Sequence, residues 1–383
     1  MTDPNGLRGR TEPDLATSLR IAPERYVLED GAIEELGRRL NVDGDVSSVR
    51  VLGGERALSA VRDDLDRSLE RAGIPARYAT FEGECCPSAI AGHRDRLDAQ
   101  DADVLIGVGG GKALDAAKLV AEGRCPVAAV PTSAATCAAW TPLSVVYEPD
   151  GTYRTGVVLS RCPKLVVVDV GVIADAPVRL LASGILDATA KHFETRLLGD
   201  ATRPATRWGL GIATETYADT LREHAATACA DAEAGRVTPE LTAVVEASIA
   251  GPGLTAGLMA DRSYITLPHV FCYVLLGYGS TATDSYHGER VAYGVVALQA
   301  LLEDDSTPAS IDSPVDLREL ASWYESLGVR LDLEWLGVED DVVEDVAADV
   351  VDGLGYEILP ETVSAGDVAA AIRRVEGLDT DSG

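Results

Sequence analysis

Lysine is nearly absent from this 383-residue chain, which has only Lys112, Lys118, Lys164 and Lys191. Arginine supplies the other cations, and 62 acidic residues against 33 basic ones leave a formal charge of −29. A field of that sign repels nucleic acid and anionic lipid, so neither is expected as a partner. No stretch approaches 18 uninterrupted apolar residues, which argues against a membrane span. The opening MTDPNGLRGRTEPDLATSLR has no apolar run and carries acids, so no secretory leader is expected. It reads as a short mobile lead-in to a cytoplasmic protein. The seven cysteines (Cys85, Cys86, Cys125, Cys137, Cys162, Cys229 and Cys272) are odd in number and form no CxxC pair. Neither a disulfide framework nor a cysteine zinc site is expected of them; they read as small buried residues in a reducing compartment.

Hydrophobic residues make up 46% of the chain, a globular composition, and its length suffices for two domains with separate cores. An acidic, lysine-poor surface stays hydrated where salt screens its charges, which points to a saline cytoplasm. Through the first half, short apolar runs alternate with helical patterns. RYVLEDG precedes AIEELGRRL, SSVRVLGG precedes ERALSAVRDDLDRSLERAG, and ARYATFEGE precedes PSAIAGHRDRLDAQ. Then come ADVLIGVGGG, KALDAAKLVAEG, PVAAVPT and KLVVVDVGVI. This alternation predicts a parallel sheet covered on both faces. Between Trp140 and Arg161, VVYEPDGTYRTGVVL reads as a β-hairpin about a Pro-Asp-Gly turn. Farther on the periodicity is helical, so a boundary is expected between Ile173 and Pro177, dividing an α/β domain (1–175) from an all-α domain (176–383).

The segment DVLIGVGGGK, from Asp103 to Lys112, runs a buried strand into three glycines and then a helix. Gly109, Gly110 and Gly111 lack a Cβ, so their backbone N–H groups can approach a pyrophosphate closely. The helix N-terminus adds free donors and a partial positive charge. The spacing is neither GxGxxG nor a P-loop. It fits either a tight strand-to-helix turn or a nucleotide site, and the scarce Lys112 at the junction favours the second. Glu55, in VLGGER, is placed to accept from an adenosine ribose, whereas Arg56 beside it suits a 2′-phosphate; NAD and NADP both remain open.

Histidine is also scarce: His93, His192, His224, His269 and His287. Two lie in apolar, glycine-dotted contexts, ITLPHVFCYVLLG and DSYHGERVAYGVV, and Asp187 lies in the apolar LLASGILDATAKHF. A buried carboxylate is costly without a partner, and a divalent cation is a natural one. One Asp and two His would leave a coordination position open for a substrate oxygen. Buried histidines satisfied by hydrogen bonds are the alternative.

Taken together, GVGGGKALDAAK, PTSAATCAAWTPLSVVY, APVRLLASGILDATAKHFE and SYHGERVAYG resemble the glycerol dehydrogenase-like members of the iron-containing (group III) alcohol dehydrogenase superfamily. The resemblance runs in order along nearly the whole chain. It implies a dehydroquinate synthase-like fold, a Rossmann-like dinucleotide-binding domain followed by a helical metal- and substrate-binding domain, and a homo-oligomer. It implies zinc, alternatively iron, on Asp187, His269 and His287, which would form the catalytic centre. Gly110, Gly111 and Lys112 match the cofactor-phosphate turn, and Asp115 falls in the GGGxxxDxxK pattern. Thr132, Thr141, Leu143 and Tyr147 match positions at the nicotinamide end of NAD or NADP, and Glu55 the acidic residue at the ribose.

Departures from the pattern bear on the substrate, for which Cys137, Lys191 and His269 are the candidate contacts. The glycerol enzymes carry an Asp near the substrate hydroxyls in an ASTDAP motif; here Cys137 stands there, in AATCAAW. The segments CAAWTPLSV and LDATAKHFE are closer to a branch similar to hydroxycarboxylate dehydrogenases, which reduce 2-oxo acids. Lys191, four residues after Asp187 on the same helix face, stands where iron-type enzymes have a fourth ligand, a histidine. That favours a three-ligand zinc site, with the ammonium either binding a substrate carboxylate or offsetting Asp187. His192 points elsewhere and reads as structural.

The reaction so implied is hydride transfer between a nicotinamide and a small alcohol or polyol, the cation lowering the pKa of the alcohol. His287 and Tyr147 are candidate proton acceptors. One alternative is a 2-oxo acid reductase on the same scaffold. Another is a lyase like 3-dehydroquinate synthase, which needs a basic cluster for phosphate that four lysines hardly supply. The last is a catalytically silent nucleotide sensor.

Overall fold

The computed structural model describes residues 19–42, 44–98, 102–197, 203–259, 267–279, 285–304, 315–352 and 363–378; the expected lead-in before residue 19 lies outside them. Six strands form one sheet: β1 (Arg25–Glu29), β2 (Val49–Gly53), β3 (Ala76–Thr80), β4 (Val104–Gly109), β5 (Val127–Pro131) and, after a hairpin, β8 (Leu165–Asp169). Their spatial order is β1-β8-β5-β4-β2-β3, and every pair is parallel. The helices between them are α1 (Leu36–Leu40), α2 (Glu55–Arg71), α3 (Pro87–Asp98) and α4 (Gly111–Ala121).

Strand periodicity explains why both faces are covered. Val104, Ile106 and Val108 share one apolar layer with Val51, Val130, Val167 and the inner faces of α1 and α2. Leu105 points the other way, into a layer with Ile90 of α3 and Leu119 and Val120 of α4. β3 lies outside β2 while β4 lies inside it, so the winding direction reverses between β2 and β4. The crevice at the carboxyl ends of such strands is where open α/β sheets bind ligands. Here it is flanked by Gly53 and Gly109.

The hairpin is present as β6 (Leu143–Tyr147) and β7 (Tyr153–Val158), antiparallel. Two residues of α4 pin it. Asp115 accepts from the Val145 amide at 3.0 Å, and Lys118 donates to the carbonyls of Ala138, Thr141 and Leu143. The continuous run KLVVVDVGVI is split, because Asp169 ends β8 and caps the short α5 (Val170–Ala174), accepting from Val172 and from the amides of Gly31 and Ile33.

Every described element after β8 is helical: α5, α6 (Val178–Leu197), α7 (Pro204–Glu215), α8 (Arg222–Glu233), α9 (Pro239–Leu258), α10 (Leu267–Tyr278), α11 (His287–Leu302), α12 (Leu317–Ser326), α13 (Leu333–Leu336), α14 (Val343–Asp352) and α15 (Ala365–Glu376). α6 is the axis, buried at every residue from 181 to 195. By length and composition alone α9 could cross a membrane, but 72% of its apolar window is buried in this fold. It is a core helix.

One irregularity is invisible to helical periodicity. A π-turn, Thr216–Leu221, joins α7 to α8 and sets Tyr217 against His192, with ring centroids 4.7 Å apart. His192 is buried, and neither ring nitrogen has a hydrogen-bond partner. Burial, helped by the charge of Arg196, pushes its pKa down from 6.5 to about 4. The unfolded chain therefore takes up this proton near pH 6.5 and the folded chain only near 4. Stability from the neutral ring is present above pH 6.5 and is lost as the pH falls towards 4, by up to about 3 kcal/mol. His192→Phe should keep the stacking and flatten that part of the stability–pH curve. Denaturant melts of both proteins at pH 7 and pH 4.5 measure the difference.

Candidate active site

The glycine turn sits at the crevice. Gly109 has φ 139°, a conformation that side chains with a Cβ rarely adopt. A Cβ there would lie 3.1 Å from that of Ala113 and 4.0 Å from the amide nitrogen of Gly54. The turn thus packs against the start of α2, whose first residue is Glu55. Gly111 opens α4, where the first-turn amides have no intrahelical acceptor.

A cavity of about 330 Å³ runs from this turn to the helices. Of the residues singled out in the sequence, Gly110, Gly111, Lys112, Asp115, Cys137, Thr141, Leu143, Tyr147, Asp187, Lys191, His269 and His287 line it. Glu55 and Thr132 do not. Glu55 is exposed beyond the turn, and the Thr132 amide donates to the Gly109 carbonyl at 3.2 Å, leaving the cleft position to Ser133.

Three helices deliver the Asp–His–His set: Asp187 from the middle of α6, His269 from the first turn of α10, and His287 as the first residue of α11. One ligand atom from each lies within 4.8 Å of the others. The Nε2 atoms of His269 and His287 stand 3.2 and 3.3 Å from Asp187 Oδ1. Neither contact has hydrogen-bond geometry, and Oδ1 is buried without a hydrogen-bond partner. Ligands at ~2.0–2.1 Å from a tetrahedral ion are separated by about 3.3 Å, so the donor set fits a divalent cation in spacing and chemistry. Burial alone would raise the Asp187 carboxyl, but the two imidazoles outweigh it and hold it well below the usual carboxylate range.

The supporting shell is largely missed from sequence. Glu194 is buried beside His269 Nδ1 and accepts from Lys191 Nζ at 2.6 Å. Burial would raise its carboxyl, but the charges of His269 and Lys191 bring it down to about 2. Lys191 therefore pairs with Glu194 while lining the cleft. Cys272 Sγ lies 3.4 Å from His287 Nδ1. Both nitrogens of His287 are thus engaged, one by Cys272 and one facing Asp187. Burial pushes the Tyr147 hydroxyl well above its ordinary range, which keeps it a neutral phenol, able to donate a hydrogen bond and unsuited to the role of proton acceptor. Lys112 pairs with Glu84 at 2.6 Å at the cleft mouth. Tyr153 of the hairpin stacks on Tyr273 of α10, centroids 4.1 Å apart, tying the sheet side to the helical side.

A model of the family described as iron-containing alcohol dehydrogenase matches residues 23–170. A glycerol dehydrogenase of Pseudomonas putida is 33% identical over 330 residues, covering 84% of this chain and 86% of its own. Hydroxycarboxylate dehydrogenase A of Escherichia coli is 31% identical over 364 residues, covering 93% and 96%. The crystal structure of a glycerol dehydrogenase from Schizosaccharomyces pombe superposes with a TM-score of 0.81 at 28% identity, covering 94% of this chain and 90% of that one. The chain belongs to the iron-containing alcohol dehydrogenase family, as one of its glycerol dehydrogenase-like members.

Proposed function

We propose that this alcohol dehydrogenase exchanges hydride between NAD(P) and a small alcohol or polyol, with a divalent cation held by Asp187, His269 and His287. One observation carries the reading: that trio and the glycine turn line the same cavity. When bound, the cation lowers the pKa of the reacting hydroxyl and the nicotinamide carries the hydride.

The chain's own residues bind and orient. The amides of Gly110 and Gly111 and the N-terminus of α4 receive the pyrophosphate. Glu55 accepts from the adenosine ribose, which favours NAD over NADP. Leu143, Val145 and Tyr147 wall the nicotinamide end, on a hairpin fixed by Asp115 and Lys118. Glu194 holds the His269 ring, and Cys272 the His287 ring. Three ligands, with a lysine at position 191, favour zinc over iron. The acidic, lysine-poor composition supports work in concentrated salt.

Glu194→Gln is expected to weaken zinc binding about 10–100-fold, because the orienting carboxylate is lost while the three ligands stay. Competition with a chromophoric chelator measures this; an unchanged affinity would remove Glu194 from the supporting shell. The wider test is a panel of small alcohols, diols and 2-oxo acids in concentrated salt, with both nicotinamides and with zinc, iron or manganese. Metal-dependent reduction of NAD with diols is expected. Turnover unaffected by exhaustive chelation would overturn the reading.

A further inference from the structure

Among the described residues, three cations line the cavity: Lys112, Lys191 and Arg290. Two are matched by carboxylates, Lys112 by Glu84 and Lys191 by Glu194, each at 2.6 Å. Arg290 has no carboxylate partner among the described residues. Its Nη1 is anchored, donating to the carbonyl and to the hydroxyl of Ser285, both at 2.7 Å. Its Nε is buried without an acceptor, and among the described residues Nη2 has none either. Buried donors are almost always satisfied, so an orphan in a cleft marks a position that a ligand fills.

The location narrows the ligand. Arg290 follows His287 by three residues on α11, so both lie on the same helix face. Its charge also reaches Tyr147 of the hairpin and Cys272, the residue against His287 Nδ1. It therefore stands beside the trio, in the cavity that the trio lines. With Nη1 held by Ser285, the edge left over is the Nε–Nη2 fork, whose planar geometry matches a carboxylate. A phosphate would call for further free cations, and the other two in the cleft are already paired.

We propose that Arg290 is an anion subsite, taking the carboxylate of a substrate whose adjacent carbon bears the reacting hydroxyl or carbonyl. This rests on the dehydrogenase reading above and adds small 2-hydroxy acids and 2-oxo acids to the alcohols it covers. Anchoring on Ser285 fixes the guanidinium in advance, so little side-chain freedom is lost on binding.

The experiment compares matched pairs, glycolate with ethylene glycol and lactate with propane-1,2-diol, on wild-type holoenzyme, Arg290→Gln and Arg290→Lys. Calorimetric titration of the same proteins with glycolate runs alongside. Arg290→Gln is expected to lower kcat/KM for the acids about 100-fold or more while changing the neutral diols less than about threefold. Arg290→Lys should restore part of the loss, since it keeps the charge and loses the fork. Equal losses on acids and diols would show a structural role and overturn the inference, as would glycolate affinity unchanged in Arg290→Gln. Should neither class be turned over, the dehydrogenase reading fails. The calorimetry still decides the subsite, with glycolate binding lost in Arg290→Gln supporting it and binding absent from wild type overturning it.

Discussion

Asp187→Asn is expected to lower kcat/KM at least about 1,000-fold, equivalent to about 4 kcal/mol of transition-state stabilisation, and to reduce bound metal from one ion per chain towards none. The substitution keeps the volume of the side chain and removes its charge. Asp187 is buried, its Oδ1 has no hydrogen-bond partner, and two imidazole nitrogens face it at 3.2 and 3.3 Å. An amide oxygen there is a neutral and weaker ligand, and a buried dication would keep only neutral donors around it. The fold should survive, because the side-chain volume is kept in a helix buried among apolar neighbours, although the apo protein loses the favourable charge of Asp187 beside the two imidazoles. Added zinc should raise the melting temperature of the wild type, as any ligand of the native state does, and leave the variant unmoved. Metal analysis, steady-state kinetics and melting with and without zinc separate loss of the ion from loss of the fold.

Gly288→Ala is expected to cost about 100-fold in kcat/KM through displacement of its neighbour His287. A Cβ at Gly288 would be built into the carbonyl oxygen of Ser183, and one at Gly184 into that of Ala134. Both obstacles are backbone, so they cannot swing aside. α11 would have to lift from α6, and His287, the residue before Gly288, would move with it, away from Asp187. Displacement of a reacting group by about 1 Å is enough to cost two orders of magnitude. Overpacking of this kind destabilises by about 1–3 kcal/mol. Gly211→Ala is the control. It lies exposed on α7, where an added Cβ would meet nothing within 4 Å, and should leave activity unchanged while stabilising by about 0.5–1 kcal/mol. Loss of activity in Gly288→Ala with unchanged metal content would mean that the close helix approach does not set the ligand geometry.

What can be read from the sequence is local. Each βα unit announces itself by an apolar run followed by a 3.6-residue pattern, and three glycines between strand and helix mark the turn at Gly109 to Gly111. Asp187 stands out because an acid in LLASGILDATAKHF has no apolar role. The supporting residues give no such signal. Glu194 belongs to KHFETR, a segment that reads as the polar end of a helix; only the fold shows α6 buried as far as Thr195. Arg290, within HGERV, looks like any helix-surface cation until α11 is placed against the cleft. Glu84, between β3 and α3, meets Lys112 28 residues later, and Lys118 reaches carbonyls 20 to 25 residues away. Such contacts are set by sheet order and helix docking, which periodicity does not encode. The π-turn at Thr216–Leu221 escapes for a related reason, since one wide turn hardly perturbs a long helical pattern.

The most direct measurement is anomalous diffraction at the zinc edge from crystals grown with zinc and NAD. One strong peak is expected within about 2.2 Å of Asp187 Oδ1 and of the Nε2 atoms of His269 and His287, with the nicotinamide ring against it in the same cleft. A peak held by other residues, or an empty trio at saturating zinc, would contradict it.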